Sequence, residues 1–345
     1  MKTQAAILVR PGQPLVVDEI EVPPLERGQV LLQMRAAGVC RTQLGEARGW
    51  RGHDPHVPHL LGHEGYAQVL GVGPGVHKVQ VGNAVIVSWI KGRGLDAPGP
   101  QYRWGRRSVQ AGGAAVFAER VVVSENRVTR LRHSLPADAA AVLGCAVATG
   151  AGAVRRLLKI RPETRFGVFG IGGVGGSAVL AAAALKCRCL VAIDVSRWKL
   201  KWAKKLGATA TVLAEPKSGS TAQKVQTKFG GLDAALEAAG IPLVAEEALA
   251  ALAPHGTLVV AGHPLPGLKM RVDPFELICG KRILGTWGGQ TVPERDFNYY
   301  AREYKAGRLP VDRLVTHRFS LPEINEALGV VESGEAGRVV IAIDR

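Results

Sequence analysis

The sequence predicts an α/β chain, a doubly wound parallel sheet inserted into a β-rich domain. Three observations carry that reading. Short apolar runs cut by Gly and Pro fill the first part, strand and helix patterns alternate through the middle, and a strand-rich tail closes the chain. At 345 residues there is length for two domains, and a hydrophobic content of 47% supplies their cores.

In chain order, strands are expected at 5–9, 30–36, 66–72, 84–88 and 116–123, a spacing that suits a barrel or sandwich. Near Pro136 small residues take over, and helices are expected at 137–143 and 149–158. Strand 166–169, helix 174–186, strand 190–193 and helix 197–206 follow. Further strands are expected at 210–213, 234–237, 257–261 and 283–287, with helical stretches between several of them. Such alternation packs helices on both faces of a parallel sheet. A helix over 294–305 and a closing strand over 338–343 complete the chain. The tail is closer in pattern to the first part than to the middle. Residues 1–146 and 290–345 are therefore expected to form one domain and 147–289 the inserted one. No internal repeat is evident.

Lys and Arg number 44 against 29 Asp and Glu, a net charge of +15. The basic residues are scattered. Their densest groups are Arg103/Arg106/Arg107 and Lys199/Lys201/Lys204/Lys205, and the second has the spacing of a solvated helix face. No zinc-finger or RNA-binding motif accompanies them, so no specific nucleic-acid partner is expected. The five cysteines are too sparse for a disulfide framework and fit a reducing compartment. Cys187, Cys189 and Cys279 have no metal-ligand neighbour and read as core. The N-terminus lacks a signal-peptide core, and the Ala-rich run 177–185 is too short to span a bilayer. A cytoplasmic protein without a membrane partner is expected.

The first motif is Gly170-Ile171-Gly172-Gly173-Val174-Gly175, between an apolar strand and an apolar helix. Gly170 allows a sharp turn, Gly172 lets backbone N–H groups reach a pyrophosphate, and Gly175 lets helix pack on strand. The helix N-terminus adds partial positive charge. Asp194 ends the next strand, where a carboxylate accepts from an adenosine ribose and repels a 2′-phosphate. NAD is favoured over NADP, against the nearby Arg197. A second glycine run, Gly71-Val72-Gly73-Pro74-Gly75, is followed by a strand pattern and reads as a turn.

The second motif is a candidate metal set: Cys40 after Gly38-Val39, His63 in Gly62-His63-Glu64-Gly65, and Cys145 in Gly144-Cys145-Ala146. A catalytic zinc needs about three protein ligands and one open position. Such a metal polarises an alcohol oxygen and eases the loss of its proton. Taken singly, a cysteine in an apolar strand is usually core, and a lone histidine usually has a structural role. Spacing alone leaves both readings open.

Together these residues resemble the zinc-dependent alcohol dehydrogenases of the medium-chain dehydrogenase/reductase superfamily. Gly38-Val39-Cys40-Arg41-Thr42, Gly62-His63-Glu64-Gly65, and Cys145 with Ala148-Thr149-Gly150 are similar to its motifs, and the glycine loop lies where the family has it. The resemblance runs from the first strand to Gly337-Arg338. It implies a GroES-like catalytic domain interrupted by a Rossmann domain. It implies that Cys40, His63 and Cys145 bind zinc, with Glu64 beside the metal as alternative ligand or electrostatic tuner. Thr42 would take the alcohol proton, and Arg41 and Arg338 would contact pyrophosphate. Thr149 and Val174 would contact the nicotinamide, with Lys199 also on the cofactor side. Trp89 and Trp50 would line the substrate pocket. A homodimer or homotetramer acting on a small alcohol or carbonyl compound is the expectation.

The chain departs from the family in two places. Many members hold a structural zinc with four cysteines after the pocket aromatic. Here 89–112 contains no cysteine, so one catalytic zinc is expected and a Gly-, Pro- and Arg-rich loop in place of the other. Gln43 stands where the family usually has the Asp that orients the zinc histidine. The expected reaction is reversible NAD-linked oxidation of a primary or secondary alcohol. The basic residues at 93, 103, 106 and 107 leave room for a polyol, sugar-derived or anionic substrate. The alternatives are reduction of an activated C=C or C=N bond, and a non-catalytic nucleotide- or nucleic-acid-binding protein on the same fold.

Overall fold

Both chain ends lie in one unit, built on a closed barrel and a larger sheet. The computed structural model describes residues 1–215 and 220–343. It divides into a first unit of residues 1–145, 292–307 and 315–345 and a second of residues 146–291 and 308–314.

The first unit begins with β1 (Lys2–Leu8), β2 (Val16–Glu21) and β3 (Gln29–Val39), then the short helix α1 (Arg41–Ala47). β4 (His59–Leu60), β5 (Glu64–Val72), β6 (Ala84–Ser88), β7 (Gln101–Trp104) and β8 (Arg107–Ala111) follow. β9 (Arg120–Ser124), β10 (Val128–Arg130) and helix α2 (Ala137–Ala141) complete its first stretch. Strands β1-β2-β7-β8-β4 close the barrel.

The second unit carries α3 (Ala146–Gly152), β11 (Arg165–Phe169), α4 (Gly173–Ala184), β12 (Cys189–Asp194), α5 (Arg197–Leu206) and β13 (Ala210–Leu213). It continues through α6 (Ser220–Phe229), β14 (Leu232–Glu237), α7 (Pro242–Ala250), β15 (Leu252–Val260), α8 (Pro274–Ile278) and β16 (Arg282–Gly285). Its strands pair in parallel in the order β13-β12-β11-β14-β15-β16. β11 and β12 are buried almost throughout, as a parallel sheet covered on both faces requires. The chain returns to the first unit with α9 (Pro293–Lys305), β17 (Val315–Ser320), α10 (Ile324–Ser333) and β18 (Arg338–Ala342). There β18 joins the larger sheet, whose order is β10-β6-β5-β3-β18-β17, with β9 also paired to β3.

Several expectations are corrected. The loop expected after Trp89 contains a hairpin, β7–β8, whose Tyr102 and Val109 point into the barrel core. Glu125 anchors the approach to it: Oε1 accepts the His77 and Lys78 N–H groups at 2.7 and 2.8 Å, and Oε2 accepts that of Leu95 at 2.7 Å. Burial works against the Glu125 carboxylate, but these donors hold its pKa below the usual range. The strand expected from residue 116 starts only at Arg120. Val116 and Phe117 are fully buried and both donate N–H to the Leu61 carbonyl, and the segment meets β1 only through an isolated bridge, Ala5↔Ala118. The helix expected over 149–158 starts at Ala146 and ends in a π turn, Ala153–Leu157. Among the described residues no single helix is long and apolar enough to cross a membrane.

Candidate functional site

One end of the larger sheet assembles the candidate metal site, and strand register explains how. β3 pairs antiparallel with β5 through Ala37↔Gly65, so extending the register sets Gly38 against Glu64 beside the His63 end. β5 pairs with β6 through Glu64↔Ser88, which brings Trp89 alongside His63. β18 pairs with β3 through Val339↔Val39, which brings Arg338 to Cys40. Residues far apart in sequence therefore meet because they sit one step beyond paired strand ends.

The ligand atoms of Cys40, His63 and Cys145 all lie within 4.8 Å of one another. Cys145 is buried, and Cys40 and His63 are half-buried. His63 Nε2 is 3.3 Å from Cys145 Sγ, and Cys40 Sγ is 3.8 Å from Thr42 Oγ1. A hydrogen bond from Cys145, with help from Arg338 and His63, holds the Cys40 thiol well below its ordinary pKa; Cys145, as donor to Cys40, is pushed up. Two sulfur donors and an imidazole converging in one partly buried spot fit zinc.

Local structure fixes each ligand. Cys40 caps α1, and Gln43 in its first turn accepts the Cys40 N–H through Oε1 at 2.9 Å. The Gln43 amide nitrogen meets His63 Nδ1. Gly62, with φ +100°, supplies the left-handed turn that swings His63 off the start of β5. Ser88 donates to the Gly144 carbonyl at 2.6 Å and so holds the segment before Cys145.

Glu64 is not among the three clustered ligands. Its carboxylate is fully buried under Gly38, where any side chain would collide with it. Its partner is Arg338, 4% exposed, whose Nε donates to Oε1 at 2.7 Å. Burial pushes the Glu64 pKa up and the guanidinium opposes it. Burial works against the Arg338 charge too, but Glu64, Cys40 and Cys145 outweigh it and raise its pKa.

Beside the metal cluster, within the same unit, lies a cavity of about 670 Å³. His63, Trp89 and Gln43 line it, as do residues 99–101 and 110–115 around the β7–β8 hairpin. The Trp89 and His63 rings meet edge to face, centroids 6.5 Å apart. Trp50 does not line the cavity: it packs on the core, under the Arg41 guanidinium at 5.3 Å. Arg103, Arg106 and Arg107 do not line it either. Arg103 pairs with Glu21, and Arg107 stacks over Trp104 at 5.7 Å, on the outside of the hairpin. Sequence reasoning passed over Arg127, a half-buried cation that lines the cavity.

In the second unit the three loop glycines differ in their surroundings. Gly170 has φ +90° and lies against Ala239. A side chain at Gly175 would strike the Gly170 carbonyl, so α4 packs close on β11. At Gly172, the N-cap of α4, a side chain would meet nothing within 4 Å. That open space over a helix N-terminus fits a pyrophosphate. Asp194 is 7% exposed; it accepts the Ile171 N–H at 2.7 Å and the Ser196 N–H at 2.9 Å, which ties the loop to the end of β12. Gly150 brings α3, with Thr149, onto the first turn of α4 at Val174. Lys199 lies half-buried in the first turn of α5, and Arg197 is exposed. The second glycine run ends β5 in a turn at Gly75 with no helix after it.

A three-ligand metal site and a glycine-rich strand–helix loop are the features of a metal-assisted oxidoreductase. The comparisons with known proteins agree. An alcohol dehydrogenase GroES-like domain model matches residues 26–133, and a zinc-binding dehydrogenase model matches residues 173–305. The S-(hydroxymethyl)glutathione dehydrogenase of Synechocystis sp. is 30% identical over 99% of this chain and 100% of its own length. Alcohol dehydrogenase 6 of Peromyscus maniculatus is 27% identical over 99% and 98%. Among solved structures, an alcohol dehydrogenase zinc-binding domain protein from Burkholderia ambifaria superposes with TM-score 0.92 at 27% identity, covering 100% of both chains. Benzyl alcohol dehydrogenase from Acinetobacter calcoaceticus does so with TM-score 0.89 at 27% identity, again over 100% of both. The chain belongs to the zinc-dependent alcohol dehydrogenases of the medium-chain dehydrogenase/reductase superfamily, enzymes acting on CH–OH donors.

Proposed function

We propose that this protein catalyses reversible NAD-linked oxidation of a primary or secondary alcohol with one zinc ion per chain. The convergence of Cys40, His63 and Cys145 carries the reading. When bound, zinc would supply Lewis-acid polarisation of the alcohol oxygen, and NAD would supply hydride-acceptor chemistry. Cys40, His63 and Cys145 hold the metal. The Thr42 hydroxyl, beside Cys40, takes the alcohol proton and passes it on. Glu64, held by Arg338, sets the field behind the ligands. Trp89 and the hairpin segments wall the alcohol.

Residues 147–289 act as the NAD-binding domain, and residues 1–146 with 290–345 as the catalytic one. Backbone N–H groups around Gly170, Gly172, Gly173 and Gly175 cradle the pyrophosphate, with Arg41 and Arg338 as basic contacts. Thr149 and Val174 flank the nicotinamide, and Asp194 with Lys199 orients the adenosine ribose. The buried Asp194 carboxylate supports NAD over NADP, because a 2′-phosphate would meet like charge. Val195 and Ile241, exposed apolar residues just past the ends of β12 and β14, suit the adenine faces.

We also assign a homo-oligomeric state. β16 is an edge strand, flanked by the exposed Ile278 and Trp287, at 77% and 78%. An open, apolar edge of this kind favours pairing with a second copy. Five unpaired cysteines support a cytoplasmic setting.

The test of the proton role is Thr42→Val. It should retain zinc and lose about 10²-fold or more in alcohol oxidation, read as NADH formation. Loss of alcohol oxidation with enone reduction intact would point instead to a C=C reductase. Full alcohol turnover would remove Thr42 from the mechanism.

A further inference from the structure

Arg127 is a cation that the alcohol chemistry leaves unused. It lies in the turn Glu125–Arg127 and lines the cavity beside the metal cluster. Register places it there: β10 pairs with β6 through Val128↔Val87, so the residue before β10 reaches the strand end that carries Trp89. Its Nη1 donates to the Trp89 carbonyl. Its Nε is buried and has no acceptor. Gly113 lies against the Arg127 side chain: a Cβ there would stand 3.6 Å from Nε, in ordinary contact.

The acids of the cavity wall are engaged elsewhere. Asp54 is bonded to His59 at 2.8 Å, and Glu46 faces Arg51 at 3.5 Å. Asp96, which acts on Arg127 through space, is held by Lys91 at 2.6 Å. Desolvation therefore dominates at Arg127 and pulls its pKa down. A desolvated guanidinium with a spare donor is costly alone and gains most from an anion.

We infer that Arg127 receives a carboxylate at the far end of the substrate, so that the preferred alcohols carry an acidic group. This rests on the reading that the cavity receives the alcohol. The carboxylate meets the side of the guanidinium that lines the cavity while the hydroxyl points towards His63. Nothing in this arrangement needs the outer arginines of the hairpin.

The experiment compares 4-(hydroxymethyl)benzoate with benzyl alcohol, which differ only in the carboxylate, on the zinc-loaded protein. Two readouts are taken: kcat/KM with NAD, and the dissociation constant without NAD from tryptophan fluorescence. The wild type should prefer the carboxylate by about tenfold to a hundredfold in both, the usual worth of one charge-assisted hydrogen bond. Arg127→Met should bring the ratio close to unity, and Arg127→Lys should restore part of it. No preference in the wild type, or a ratio unchanged in Arg127→Met, overturns the inference. Equal losses for both probes mark Arg127 as a structural tether of Trp89 and overturn it too. Absence of turnover with either alcohol counts against the proposed function, and the binding ratio still decides the role of Arg127.

Discussion

Gln43 does two things with one amide. Its oxygen accepts the Cys40 N–H and closes the first turn of α1, while its nitrogen meets His63 Nδ1. An imidazole that binds a metal through one ring nitrogen carries its proton on the other and needs an acceptor there. A carboxylate at this position would offer an acceptor in either rotamer, so the glutamine makes metal uptake more demanding. Gln43→Ala should weaken zinc by about 10–100-fold, measured by competition with a chelator of known affinity. An unchanged affinity would mean that the ring is oriented by other contacts. The three ligands were legible in the sequence only as a pattern, since each alone reads as core. Arg127 was not legible, because nothing in Glu125-Asn126-Arg127 tells a desolvated guanidinium from a solvated one.

The β7–β8 hairpin is held by burial of its inward side chains. Tyr102 is 2% exposed, and its hydroxyl accepts the Val122 N–H at 2.7 Å, joining the barrel to the larger sheet. Tyr102→Phe keeps the ring but strands that N–H. It should cost about 1–3 kcal/mol in denaturant unfolding, with little change in slope. A loss below about 0.5 kcal/mol would show that water or a shifted backbone replaces the bond. The sequence hid this hairpin for a physical reason. Its strands are short and mostly polar, with Arg103 and Arg107 outward, and their partners β2 and β4 lie far away in the chain. The first part of the apolar run, 116–119, misled in the opposite direction, because hydrophobicity reports burial and not ladder pairing. The strand–helix alternation from β11 to β13 was legible almost residue by residue, since a sheet covered on both faces writes continuous apolar runs.

At the scale of the whole molecule, the tail's return to the first unit is what completes the metal end of the sheet. β18 comes from the last residues of the chain and brings Arg338 beside Cys40 and Glu64. The interrupted domain was legible from the change in pattern near Pro136 and its reversal after Gly289. The register that gathers Cys40, His63, Trp89, Arg127 and Arg338 was not, because pairing between distant strands leaves no local trace. The central proposal is one metal held by that gathered end, alongside association through the open edge at β16. Native mass spectrometry of the wild type and Cys40→Ser reads both from one spectrum. The wild type should show a dimer or tetramer with one zinc per chain, and Cys40→Ser the same assembly without zinc. Two zinc ions per chain, or full zinc retention in Cys40→Ser, would contradict it.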